Sequence, residues 1–400
     1  MKILYVEKTY NEFLLSSHFT TGESTYFQIY DNKDVFGKLK GVLEYNIEKE
    51  SNVGRINFNE EISIIDKNTG QNIFYYISHQ KTTDHITLYI NQVCYETMSS
   101  KRVYKFTLLH NDINNLENLL MNRTELFGIS ERYFVFALPQ FDSDKLDYND
   151  SNKYLLVDII EEQIYKIPKM IGSNDSFDNL SYLNTFNIVD RSYVVITTGR
   201  ISALEKKELW ENHRSAMLPH SKVQSVAIIP LNTFTEEIKS NKCIDNQYIV
   251  QKYDADSALV QLEIINSKLY LYNENFSNTS SELLIFDLID DRRKLETIEV
   301  QCLYRKIFNI GNRPLYGLIK VKEANELYDI HELSLLFHSN KGTDVYWVYK
   351  NILITREYNS KESLVTLKVI DMNTQNVIAQ QKGDIPGFDY VAESEALLLF

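Results

Sequence analysis

Glycine and proline are scarce in this chain of 400 residues, at 13 and 6. These residues supply most turn geometry, so Asn and Asp must make most of the turns here. Cysteine is nearly absent. Cys94, Cys243 and Cys302 are odd in number, far apart and outside any CxxC, which argues against a disulfide framework or a zinc site. Three reduced thiols fit an intracellular protein. No window reaches the 18 or more apolar residues of a membrane span, and MKILYVEKTYNEF places charges inside what would be the apolar core of a signal peptide. The expected location is cytoplasmic.

Positive charge is also in short supply: 42 Lys and Arg stand against 55 Asp and Glu, a formal net charge of -13. A nucleic-acid binder needs a basic patch to displace counterions, and an anionic membrane surface needs one too, so neither partner is expected. The acidic balance serves solubility and leaves a basic protein partner as the sharper possibility. Motifs for catalysis are missing as well. The chain has no GxSxG, no GxxxxGK[ST], no GxGxxG and no HExxH.

What is present points to sheet. There are 27 Tyr and 20 Phe, residues that suit a pleated, half-buried surface. One pattern recurs: an apolar strand ends in Asp, a polar turn follows, and a second strand begins. Asp31, Asp66, Asp158, Asp287 and Asp371 all end such runs, as in YLLVDIIEEQIYKI and LKVIDMNTQNVIAQQ. Asp can bond its own turn backbone and tolerates turn geometry. In DKNTG, Gly70 supplies the positive φ that the turn needs.

Each unit extends backwards to another apolar run, giving strand, polar loop, strand, Asp turn, strand. The intervals between Asp66, Asp158, Asp287 and Asp371 are 92, 129 and 84 positions, near multiples of about 40–45 residues, the length of a propeller blade. The expected fold is an all-β, single β-propeller of four-stranded antiparallel sheets. Seven blades are favoured, with six or eight compatible. Neither a GH…WD signature nor a kelch double glycine occurs. Residues 1–400 form one domain in this reading, its ring closed by pairing KILYVEK with the terminal FDYVAESEALLLF; the alternative is a large two-domain all-β protein.

Two segments break the strand pattern. His110–Phe127 carries Ile113, Leu116, Leu119 and Leu120 at helical spacing with Asp112 as a cap, and reads as a short helix or a distorted outer strand. ISALEKKELWENHRSAML, near 201–217, has a narrow apolar stripe of Leu204, Trp210 and Met217 among charges, which describes a surface helix inserted between two strands. Insertions into repeat proteins map to loops on one face, often the binding face, and Trp and Arg anchor interfaces. Arg200, Trp210, His213, Arg214 and His220 are therefore the candidate partner-binding surface.

Other constellations carry less. FDSDKLDYNDSN sets Asp142, Asp144, Asp147 and Asp150 close together, but Leu146 and Asp147 occupy positions 5 and 6 where a calcium loop of the EF type needs a ligand and Gly; a solvated inter-strand loop explains it, as it does Asp254 and Asp256. The eight histidines are dispersed, and Pro219 disfavours continuing a helix that would align His213 with His220. No metal, cofactor or catalytic residue is expected. The functional expectation is a non-enzymatic scaffold that binds a protein partner through loops on one face. Two alternatives stand beside it: an enzyme or small-ligand binder, of sugar or lactone type, using the central channel, and an immunity or inhibitor protein using an acidic face.

Overall fold

The structure is a computed structural model that describes residues 2–9, 12–31, 38–60, 62–65, 72–82, 85–109, 125–142, 147–167, 179–188, 191–199, 223–242, 245–253, 257–275, 280–289, 294–300, 304–311, 315–321, 324–359, 364–383 and 386–400. Their strands make eight small sheets in chain order, and the chain is an all-β, eight-bladed β-propeller. Blades 1 to 7 are four-stranded antiparallel meanders, spanning Glu12–Asn57, Ile62–Leu109, Glu125–Lys166, Asn179–Lys252, Ser257–Val300, Lys306–His338 and Thr343–Gly383. Blade 8 joins Phe388–Val391 and Ala396–Leu399 to Lys2–Tyr5, which pairs with Ala396–Leu399 in parallel. Eight was the upper of the compatible counts. Blade 6 opens with a first strand of only three residues, Lys306–Phe308, and blade 8 is divided between the chain ends, so both register weakly in the sequence.

The chain packs as two compact units. The first holds blades 1, 2, 3 and 8 together with the helix Leu231–Lys239. Its blades are joined face to face by apolar clusters: Leu14, Phe27 and Leu43 of blade 1 against Leu398 and Phe400, Tyr30 and Val42 against Phe74 and Val93, and Ile77 and Leu88 against Phe134 and Val157. The second unit holds the strands of blades 4 to 7, joined in the same way by Val226 and Ile228 with Leu269 and Leu284, Tyr272 and Leu283 with Ile307 and Leu315, and Leu318 and Leu327 with Val348 and Leu353. First strands lie side by side between blades 8 and 1, 2 and 3, 5 and 6, and 6 and 7.

The turn between third and fourth strands is the repeating device. Asp158, Asp329 and Asp371 each end a third strand, and Oδ1 of each accepts the backbone N–H groups two and three residues on. Asp287 accepts that of Ile289, and in blade 1 Asn46 takes the role, accepting from Lys49. Asp287, Asp329 and Asp371 follow one another at 42-residue intervals. Of the aspartates read from the sequence, Asp31 differs: it ends the second strand of blade 1 and meets Lys40 at 3.6 Å. Asp66 lies outside the described residues.

Four residues after the acceptor, the backbone turns left-handed: Glu50, Glu162, Leu333 and Gln375 have φ of 52°, 54°, 52° and 57°. This is how so few glycines suffice. The conformation costs an L-residue roughly 1–2 kcal/mol, and the acceptor's hydrogen bonds offset it. A one-residue bulge then follows on most fourth strands. The extra residue is Val53, Val103, Val250, Leu295, Leu336 or Ile378, always aliphatic. Bulges twist an edge strand away from pairing with another chain, so this one protects the outer edge of the blades that carry it.

Asp158 does more than cap its turn. It is 0% exposed. Arg132 donates to both its oxygens at 2.8 and 2.7 Å, and Lys239 donates at 2.5 Å from the end of the helix Leu231–Lys239. These partners hold its carboxyl well below the usual carboxylate range, against the opposing effect of burial. The helix itself escaped the sequence reading. Its signal was Pro230 followed by Phe234 and Ile238, four apart and both buried, an amphipathic helix start.

Residues 200–222, with the expected helix near 201–217, lie outside the described residues. So do 110–124; Glu125, Leu126 and Phe127 open the first strand of blade 3 rather than continue a helix. Asp142 and Asp147 face one another across the hairpin of blade 3, while Asp144, Asp254 and Asp256 lie outside the description.

Two outcomes test these assignments. Glu162→Gly replaces an exposed left-handed residue by one without the steric cost, and should raise the unfolding free energy by about 0.5 kcal/mol, the backbone-entropy cost of Gly being subtracted. Asp158→Ala removes the shared partner of Arg132 and Lys239 and should lower it by about 3 kcal/mol. Urea denaturation of each variant beside the parent measures both.

Candidate functional site

The Asp turn sets a register common to the blades. Lys268, Tyr316 and Ile352 open the second strands of blades 5, 6 and 7 and pair with Asp287, Asp329 and Asp371. The third residue of each second strand then faces, on the first strand, Glu263 in blade 5, Lys306 in blade 6 and Trp347 in blade 7. Three neighbouring first strands of one unit thus carry a carboxyl, an ammonium and an indole at one register position.

Gln261 ties two of these strands together. Its side-chain amide donates to the backbone oxygen of Ile307 and accepts from the backbone nitrogen of Ile307, both at 3.1 Å, and also donates to Glu263. The amide behaves as one more rung of ladder between blades and holds Glu263 beside Lys306.

Burial raises the Glu263 carboxyl pKa above its ordinary value, against the hydrogen bond from Gln261 and the attraction of Lys306. Lys306 reaches solvent, yet the protein around it dehydrates its ammonium and lowers its pKa, against the attraction of Glu263. Each charge is pushed toward neutrality, and no ion pair closes between them. The Lys306 Nζ lies 4.8 Å from the ring centre of Phe308, which retains the cation by its ring face. In blade 7, Trp347 stacks on Tyr349 at 5.7 Å, and Tyr346, the extra residue of a bulge, is 48% exposed. The arrangement offers a cation, a proton-sharing carboxyl and an aromatic wall.

In the first unit the same register position holds Asp389 in blade 8, and in blade 1 it falls in a wide bulge between Ser16 and Thr20 that contains His18. Ser16 Oγ donates to Asp389 Oδ2 at 2.6 Å. His18 Nδ1 lies 3.5 Å from Ser16 Oγ and 3.7 Å from Asp389 Oδ1. The residue types are those of a nucleophilic triad, but the geometry is not. A triad needs one ring nitrogen on Ser and the other on Asp; here Nδ1 alone faces both, and the serine proton is committed to the carboxylate.

Arg200, Trp210, His213, Arg214 and His220 lie outside the described residues. Two of the other described histidines have local partners: His338 Nδ1 meets Glu326 at 3.1 Å and His85 Nδ1 meets Thr82 at 3.1 Å. Among the described residues no cluster of His, Cys, Asp or Glu could hold a metal, and no helix is long and apolar enough to cross a membrane. The sequence reading missed Glu263, Lys306 and Trp347. The available signal was spacing, since they stand 43 and 41 positions apart, one blade length each.

The sequence matches no protein-family model and no curated relative. Among solved structures the chain is similar to an oligogalacturonate lyase in complex with manganese, at 11% identity and a TM-score of 0.39 over 84% of this chain and 82% of that one. It is similar to the β-propeller domain of the Trilobed protease from Pyrococcus furiosus, at 10% and 0.38 over 91% and 96%. It is also similar to the acylaminoacyl peptidase of Pyrococcus horikoshii, at 11% and 0.42 over 95% of this chain but 56% of that one. The likeness is one of fold.

Glu263 and Lys306 titrate against each other. In Lys306→Met the carboxyl loses its attracting charge, and its titration midpoint, followed by carbon NMR of the labelled side chain, should move further up. A carboxyl raised by the fold is destabilising once ionised. Glu263→Gln should therefore match the parent in acid, and should exceed it in denaturation midpoint as the pH rises through the raised value.

Proposed function

We propose that the protein, acting as one domain, is a small-ligand binder whose site is the first-strand edge of blades 5 to 7. The ligand is a hydroxylated carboxylate of monosaccharide size. What carries this reading is the dehydrated pair Glu263 and Lys306, held side by side by Gln261 yet not closed into an ion pair. Charges that satisfy one another are structural; charges kept apart are available to a third group. Perturbed titratable groups of this kind cluster at functional sites. Lys306 supplies a point charge for a carboxylate, Glu263 a partner for hydroxyls, and Trp347 a flat apolar face.

The test uses glucuronate and glucose as probes. Trp347 fluorescence, read in a Trp210→Phe background, should change with glucuronate and not with glucose. Lys306→Met and Glu263→Gln should each weaken the response at least tenfold, about 1.4 kcal/mol. If neither probe moves the signal, or both move it equally, the reading fails.

A second reading, a basic protein partner, has its own observation. Gly199 and Val223 face each other across the blade 4 hairpin, so residues 200–222 leave and return at one point, where the matching connections of blades 5 and 7 are short. Replacing that excursion by a Gly/Ser linker should abolish capture of one specific partner from native lysate if Arg200, Trp210, His213, Arg214 and His220 form a docking surface. Retained capture would exclude it.

A further inference from the structure

Four features of the first unit meet at His18. The residue sits in a three-residue gap in the blade 1 ladder between Ser16 and Thr20. Its own φ is 55°, a conformation that L-residues adopt only when the surroundings hold them there. Its side chain is 62% exposed, whereas the Asp389 carboxylate it faces is 7% exposed. Asp389 belongs to blade 8, 373 positions away by the Ser16 hydrogen bond that joins the two strands. Blade 8 is the sheet in which the first strand of the chain pairs with the last. His18 therefore stands at the joint between the blade built from both chain ends and the next one.

We infer that His18 is a pH-sensitive clasp on that joint, its protonation drawing the bulged first strand of blade 1 onto Asp389 of blade 8. The acidic group facing the ring is Asp389 from the blade 8 first strand; Glu393 engages the same strand farther along, its Oε2 accepting from Thr20 Oγ1 at 3.5 Å. On its own strand the one other charged residue, Glu12, is engaged by Arg55 at 2.6 Å. The Asp389 carboxylate favours the imidazolium. The Ser16–Asp389 hydrogen bond is independent of pH in the neutral range and keeps the strands in place while His18 changes charge. This is consistent with the direction of the His18 pKa, raised chiefly by the facing Asp389 carboxylate and opposed by partial desolvation of the ring.

The sign is fixed by that direction. A histidine whose folded pKa is raised stabilises fully below its unfolded value, about 6.5, and the contribution is lost as pH rises through the folded value. The clasp is tight in mild acid and loose in base.

Ring-carbon NMR of His18 in the full chain measures the first half of the claim, and the midpoint should lie above about 6.5. Amide hydrogen exchange at about pH 5.5 and about pH 8.5, corrected for intrinsic rates, measures the second. Protection at residues 388–391 should fall with rising pH by up to about tenfold for each unit of the raised midpoint. His18→Gln should remove that pH dependence. A midpoint at or below the ordinary value overturns the inference even if His18→Gln fails to fold. Equal pH dependence in parent and variant also overturns it.

Discussion

The side-chain hydrogen bond at the end of the third strand is the constraint on which the rest of this propeller hangs. Asp158, Asp329 and Asp371 each fold two backbone N–H groups onto one carboxylate oxygen, and each thereby holds a left-handed residue four positions on. The same acceptor residue pairs with the first residue of the second strand. One side chain thus sets both the fourth strand, with its protective bulge, and the register of the inner hairpin. A sequence poor in glycine can repeat a tight turn because the acceptor, rather than the left-handed residue, carries the geometry.

The consequence reaches the candidate site through register alone. Once the third strand is anchored, the second strand is fixed to it, and the residue facing its third position is fixed in turn. Glu263, Lys306 and Trp347 are brought to equivalent positions by three copies of one turn, although nothing in their local sequence is alike. Position is supplied by the repeat and chemistry by the exceptions to it. That division suits a propeller, whose blades must be alike to pack and unlike to recognise anything.

It also explains what could be read from the sequence and what could not. The blades were legible where an apolar strand ran directly into Asp, as in YLLVD, LLIFD and LKVID. Asp329 was missed because its strand, ANELYD, alternates polar and apolar residues as a half-buried strand does. Asp31 looked equivalent and is not, because the segment FQIYD before it is a second strand of the same composition. A local pattern reports that a strand ends in a turn, not which strand of the blade it is. The helix Leu231–Lys239 was hidden by its shortness, with only Phe234 and Ile238 marking its inner face. The site was illegible for a different reason: a lone Glu, Lys and Trp acquire meaning only when their blades are laid in register.

Two charged clusters among the described residues differ in how completely their charges are paired. Around Asp158 every charge is answered: Arg132 and Lys239 share its carboxylate, Glu161 engages both at 2.6 and 2.9 Å, and Tyr165 donates to Glu161 at 3.0 Å. Such a network stabilises and has nothing left to offer a ligand. Glu263 and Lys306 are the opposite case. Each is dehydrated by its surroundings and attracted by the other, the Gln261 amide bonds Glu263 and the Ile307 backbone, and no ion pair closes between the two charges. A fold selected for stability alone would close that pair or replace it with apolar residues, since an open dehydrated pair gives up the Coulombic gain while keeping the cost of burial. Holding the pair open costs stability, and a ligand of the kind proposed above, entering from solvent and touching both groups, would recover it.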